Sequence, residues 1–329
     1  MIDWLTIVLP YSGPDVSGGR FLVCDADGCV EKETMRPLYV EGGSWSEKTS
    51  LKIIPAGLRI DGNPSKWLQG HNLVGSDDLH ALVCAWVPQV LSVAGCADFS
   101  LLRDVQRRNY VINRVDCTYM FTLPEGVSPA AWIEAAKLQA TGKYQKSEGK
   151  GTTLYIGKNS TYSTCKIYSK YDEIKKRPLK IPHDLIETAT NWLKDKIRIE
   201  VTYRKPALKK MGIHKMGLVS PYIFGLFQAK MRSVNIMGNV MMQDDELMFL
   251  PSRYKAVYQL WTMGHNILDL YSRRTAFRHA KFFRETYGIN ILQPRGNIVV
   301  QEIPLVKIMA SYPARCPSWL EKITWSEAA

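Results

Sequence analysis

The sequence predicts an α+β region over residues 1–205 followed by a mostly helical region over 206–329. Three observations carry this. Runs rich in β-branched and aromatic residues alternate apolar with polar up to Arg204. Helix-start signals fall between those runs. After Lys205 the alternation stops, and helix-like segments parted by Gly, Pro and Ser take over.

Taken in order, "MIDWLTIVLP" is a first strand stopped by Pro10, and "KTSLKIIPAGLRIDGNPSKWL" is further strand broken at "DGNP". In "SDDLHALVCAWVPQVL" the Ser76, Asp77 and Asp78 run opens a helix, with Pro88 kinking or ending it. Residues 109–123 form a strand. Residues 128–142 form a helix with Ser128 as cap, Pro129 in the first turn and Gly142 at the end. "GTTLYIGKNSTYSTCKIYSK" is a hairpin around "GKNST"; residues 182–196 are helix and 197–204 strand. Beyond Lys205, "SPYIFGLFQAKMRSV", "PSRYKAVYQLWTMGHNILDLY" and "SRRTAFRHAKFFRETYG" are helical, and residues 291–329 stay unassigned.

Composition narrows the function. At 329 residues and 46% hydrophobic the chain can bury one large core or two domains. No apolar run reaches the length of a membrane span, and Asp3 stands where a secretion signal would carry cations. Seven scattered cysteines without a Cys-x-x-Cys pair fit reduced thiols in a cytoplasm. Residues 1–100 carry 7 Lys/Arg against 12 Asp/Glu; residues 101–329 carry 36 against 19. A basic body of this kind suits a polyanion, although a solvated lysine-rich surface gives the same count.

Three strands share one oddity. In "VINRVDCTYM" alternation puts Arg114, Asp116 and Thr118 on one face; in "IRIEVTYR" it groups Arg198, Glu200, Thr202 and Arg204; in "CKIYSK" it groups Lys166, Tyr168 and Lys170. Each opposite face is apolar. If the strands are neighbours, two carboxylates, several cations and a tyrosine converge on one surface. Such a surface is costly to dehydrate unless paired or metal-bound. It also suits phosphoryl transfer: carboxylates hold a divalent cation, the cation and Lys170 neutralise a phosphate, and Tyr168 attacks phosphorus. Taken singly, each strand fits an ordinary salt-bridged surface and each tyrosine ordinary packing. In the helical region, Arg274, Arg278 and Lys281 form one basic stripe on a helix, with Phe277 and Phe282 able to face inward.

"NPSKWLQGHNLVG", "INRVDCTYMF", "TTLYIGKNSTYSTCKIYSKYDE", "LKDKIRIEVTYRK" and "TAFRHAKFFRETYGINIL" resemble, in that order, the filamentous-phage gene II/X replication initiators. The "LYIGKNS…KIYSKYDE" stretch is also similar to initiators of staphylococcal-type rolling-circle plasmids. The resemblance spans roughly residues 1–292. It implies an antiparallel-sheet nickase core of the HUH-like Rep kind. It also implies a site-specific endonuclease that opens one strand at an origin and later rejoins it. The family nucleophile falls on Tyr168 and the motif lysine on Lys170. Tyr168 keeps the 5′-phosphate as a phosphotyrosyl ester and releases a 3′-hydroxyl for priming. That ester conserves the phosphodiester bond energy, and the chain has no ATP phosphate loop. Broader tyrosine nickases carry a His-hydrophobic-His metal motif, which is absent here. Mg²⁺ or Mn²⁺ would then rest on Asp116 and Glu200, with His71 of "QGHN" and Glu173 as candidate third ligands. Tyr171 is the rival nucleophile; the hairpin turns it away from the charged face. Arg114, Lys166 and Arg198, with the stripe on the later helix, are the expected DNA contacts. The expected partners are single-stranded or supercoiled origin DNA and a host replicative helicase, in the bacterial cytoplasm. Two other readings stay open: a non-catalytic origin-binding protein, and a metal-dependent nuclease that uses water.

Overall fold

The computed structural model describes every residue except 43–46, 143–146, 151, 218–219, 237–243, 288, 293–302, 312 and 326–329. The chain runs β1 (Ile2–Leu9), β2 (Arg20–Cys24), β3 (Val30–Met35), β4 (Leu38–Gly42), β5 (Glu47–Ile54), β6 (Gly57–Gly62), α1 (Pro64–Gln69), α2 (Leu79–Val93) and α3 (Phe99–Gln106). Next come β7 (Val111–Thr122), α4 (Pro129–Gln139), β8 (Thr141–Gly142), β9 (Ser147–Lys150), β10 (Thr153–Ile156), β11 (Ser163–Ser169), α5 (Lys170–Lys176), α6 (Ile186–Leu193) and β12 (Lys196–Arg204). The helical part holds α7 (Lys205–Lys210), α8 (Ile223–Met231), β13 (Val234–Asn235), α9 (Asp244–Phe249), α10 (Ser252–Thr262), α11 (Ile267–Leu270), α12 (Arg273–Tyr287), α13 (Leu305–Met309) and α14 (Ser318–Glu321). The fold is α+β, as expected.

Nine strands form one sheet in the order β4-β5-β6-β1-β7-β12-β11-β10-β9, and every neighbouring pair is antiparallel. Its apolar face carries Leu5, Ile7, Val115, Cys117, Ile167, Ile199 and Val201, all buried, against α2, α4 and α8. Asp78 and Asp98 cap α2 and α3 with their carboxylates. Pro88 neither ends nor interrupts α2, which runs on to Val93. The β2–β3 hairpin pairs only with itself, and its tertiary partners leave no trace in local sequence.

The helices after Lys205 do not all form a separate unit. Ala207, Leu208, Phe227, Met231, Leu305 and Ile308 join the core of the sheet. Residues 250–292 instead build a second core around Trp261, Ala276, Ala280 and Phe283. There Phe283 is fully buried, whereas Phe277 and Phe282 are only partly so. A third cluster joins Met120 of β7, Ile174 of α5, Leu193 of α6 and Leu320 of α14. It roofs one end of the sheet's charged face. No helix among the described residues is long and apolar enough to cross a membrane.

Candidate active site

Strands β7, β12 and β11 are neighbours, so their charged faces do merge. Tyr168 lies level with Arg198 and Met120; Lys166 with Glu200 and Thr118; Thr164 with Thr202 and Asp116. Glu200 is thus the diagonal neighbour of both Tyr168 and Asp116, at roughly 7–8 Å between Cα atoms. Tyr168 and Asp116 are two strands and four residues apart, roughly 17 Å from strand spacing and rise. Glu200 bridges them.

Tyr168 is only 5% exposed, yet its surroundings are charged. The Lys166 ammonium stands 4.0 Å from the ring centroid and 3.7 Å from Glu200 Oε2. Burial raises the phenol well above its ordinary value; Arg198 opposes that rise, and Glu200, Glu173 and Asp3 add to it. The ring lines an open pocket of about 250 Å³ between β10, β11 and α5.

Asp116 is held by a two-pronged pair with Arg114, Nε donating at 2.8 Å and Nη2 at 2.6 Å. The same guanidinium lies over Trp4. Burial, with Asp116 and Asp3 nearby, pushes the Glu200 carboxyl up to about 7 against the pull of Lys166 and Arg198. A divalent cation would relieve that crowding of carboxylates. Two hard oxygen donors, with the remaining positions left to water and phosphate, suit Mg²⁺ or Mn²⁺. The expected third ligands are engaged elsewhere. Burial drops the His71 ring to about 4, and its nitrogens meet Ile323 O at 3.2 Å and Gln69 Nε2 at 3.2 Å. Glu173 pairs with Lys170 at 3.0 Å. Among the described residues no group of three or more His, Cys, Asp or Glu is arranged to hold a metal.

Beneath the site runs a buried network that alternation did not reveal. A register shift between Ile2 and Trp4 is a bulge that turns Asp3 toward the charged side. Asp3 accepts from Asn63 and Asn72 at 2.8 Å each and lies 3.2 Å from Arg198 Nη2. Burial works against its ionisation, but Arg198, Asn72, Lys170 and Asn63 outweigh it and hold the carboxyl at about 2. Arg198 also donates to the Asn72 carbonyl. The guanidinium is fully buried, so Arg198 is an internal ion-pair partner and not a DNA contact. The roof of α5, α6 and the C-terminal segment accounts for that burial.

Lys170 also departs from expectation. The strand stops at Ser169, whose hydroxyl caps α5, so Lys170 begins a helix and does not extend the charged strand face. Its Nζ donates to Asn72 Oδ1 and Glu173 Oε2 at 3.0 Å each, and burial together with Arg198 lowers it to about 8. Lys170 therefore braces the network, and Lys166 is the cation above the tyrosine ring. Tyr171, carried by α5, packs in the roof with Lys175 over its ring. The "QGHN" residues tie the network to the C-terminus: Gln69 Oε1 accepts from Trp325 N at 2.8 Å, and Gly70 ends α1 at φ 77°. Asp3, Asn63 and Asn72 were missed. The one local signal was an aspartate inside an otherwise apolar first strand.

On α12, Arg274, Arg278 and Lys281 are exposed, as expected. His279, behind them, is buried edge-on to Tyr254 and Tyr271.

Comparison with known proteins agrees with the resemblance seen in sequence. Residues 1–221 match the family model for the N-terminal part of the phage gene II replication-associated protein (Phage_CRI). The chain is 34% identical over 341 residues to the replication-associated protein of Enterobacteria phage I2-2, covering 99% of this chain and 98% of that one. A rolling circle replication initiator protein from Geobacillus stearothermophilus aligns with 78% of this chain and 94% of its own. Its TM-score is 0.33 and its identity 12%. A likeness that loose fixes no shared fold. By its N-terminal match and its near full-length relative, the chain belongs to the phage gene II replication-associated protein family.

Proposed function

We propose that this protein initiates rolling-circle replication by nicking one strand of origin DNA through Tyr168 and later rejoining it. One observation carries the reading: Tyr168 lines an open pocket on a charged sheet face, beneath Lys166 and diagonal to Glu200. The phenolic oxygen attacks phosphorus and forms a 5′-phosphotyrosyl ester; the bond to the 3′-oxygen breaks, and that oxygen leaves as a hydroxyl. Because burial holds the phenol high, its proton departs only as the new bond forms. Lys166 draws the phosphate oxygens toward the ring. The Asp3–Arg198–Asn72–Lys170 network fixes β11 and α5 under the nucleophile. Mg²⁺ or Mn²⁺, held by Asp116 and Glu200, would supply charge neutralisation at the phosphate.

Arg114, Lys166, Arg274, Arg278 and Lys281 are the cations assigned to DNA contact. The partners in this reading are origin DNA and a host replicative helicase, in the cytoplasm of a bacterial host.

The test incubates supercoiled origin plasmid with the protein and Mg²⁺ or Mn²⁺, then maps any peptide left joined to DNA by mass. A peptide modified at Tyr168, lost in Tyr168→Phe and kept in Tyr171→Phe, supports the reading. Nicks without a covalent adduct indicate a water nucleophile. Origin binding without nicks indicates a non-catalytic binder.

A further inference from the structure

The pocket beside Tyr168 has walls that the strand-transfer reaction itself does not require. Its floor is β10 and β11, where Tyr155 stands level with Lys166 and diagonal to Tyr168. Its side is α5, which contributes Asp172 and, one turn on, Lys176; Arg177 follows as the cap residue. One aromatic ring, three cations and a carboxylate therefore surround about 250 Å³ that opens to solvent and includes the nucleophile's ring.

This mixture favours one ligand class. A bare phosphate site would not place the part-exposed Asp172 in its wall. The carboxylate and the aromatic ring together suit a nucleobase. A base stacks on an aromatic face whatever its sequence. A carboxylate accepts from an exocyclic amino group, such as cytosine N4. The cations Lys166, Lys176 and Arg177 suit the phosphates on either side of that base.

We infer that this pocket is a single-nucleotide subsite for the base flanking the scissile phosphate, stacked on Tyr155 and read at its amino edge by Asp172. The inference rests on the proposed role of Tyr168. It adds that the enzyme grips one neighbouring base and favours an amino-bearing base over thymine there.

The experiment uses single-stranded oligonucleotides spanning the nick site, with each flanking nucleotide replaced in turn by an abasic residue or by thymine. Adduct formation is read under single-turnover conditions. In parallel, binding of the same oligonucleotides to the Tyr168→Phe protein is read by fluorescence anisotropy. The expected result is one flanking position where the abasic residue lowers both adduct rate and affinity by about tenfold, in line with the loss of one stacked base. Tyr155→Ala should cause the same drop and remove further sensitivity to the abasic residue, while Tyr155→Phe should retain wild-type behaviour. Asp172→Asn should level the discrimination between an amino-bearing base and thymine. Equal binding of parent and abasic oligonucleotides at every flanking position overturns the subsite, as does undiminished abasic sensitivity in Tyr155→Ala. Absence of an adduct from the wild-type protein overturns the nucleophile instead, and the anisotropy series then decides the subsite alone.

Discussion

Replacing Asp3 by alanine should be among the most damaging single changes in the protein, although the residue touches no substrate. Its carboxylate faces Arg198 at 3.2 Å, and that guanidinium is fully buried. Two amide donors, from Asn63 and Asn72, also end on it at 2.8 Å. Alanine leaves a buried cation without its counter-charge and two donors without an acceptor. Breaking a buried pair in this way costs about 3–5 kcal/mol. Urea unfolding at pH 7, followed through the nine tryptophans, would measure it. The double change Asp3→Leu with Arg198→Met removes both charges and should recover most of the loss, because an apolar pair carries no desolvation penalty. A loss under about 1 kcal/mol for the single variant would refute the ion-pair account. So would a double variant no more stable than Asp3→Ala.

Because Arg198 and its neighbours hold the Asp3 carboxyl at about 2, below the ordinary 3.8, its contribution is complete above pH 4 and fades as pH falls toward 2. The stability gap between wild type and Asp3→Asn should therefore narrow by about 2 kcal/mol across that window, measured by urea midpoints at stepped pH; a constant gap counts against the pairing. Mg²⁺ should raise the melting temperature of the wild type, by about 2.7 kcal/mol of stability at a hundredfold excess over Kd, and should not raise that of Glu200→Gln. Equal rises remove Glu200 from the ligand set. Gln69→Ala loses the bond to Trp325 N and should speed limited proteolysis around residues 314–325; an unchanged digest means other interactions hold the tail. Replacing Arg274, Arg278 and Lys281 together by alanine should lower the salt slope of duplex binding by about 0.9 for each phosphate these side chains neutralise. An unaltered slope takes α12 off the DNA.

Alternation along single strands was enough to group Arg114 with Asp116, Glu200 with Thr202, and Lys166 with Tyr168, because a two-residue period is built into extended backbone. The hairpin that carries Tyr168 and the helix that carries Arg274 were legible for the same local reason. Ser169, three residues before Asp172, was a readable capping signal for α5, and it would have moved Lys170 off the strand. Other features had no local signature. Arg198 has the same strand parity as Arg204, yet only Arg198 lies under α5, α6 and the C-terminal segment, so one is internal and the other partly solvated. The carboxylate of Asp3 reaches the charged face through a bulge set by its pairing with β7. "QGHN" stood out in sequence, but its work is to fasten residues about 250 positions away. Side-chain direction follows from each strand's own backbone. Which faces meet, which charges are roofed over and which histidine nitrogens are already engaged depend on contacts between distant segments, and those exist only once the sheet is assembled.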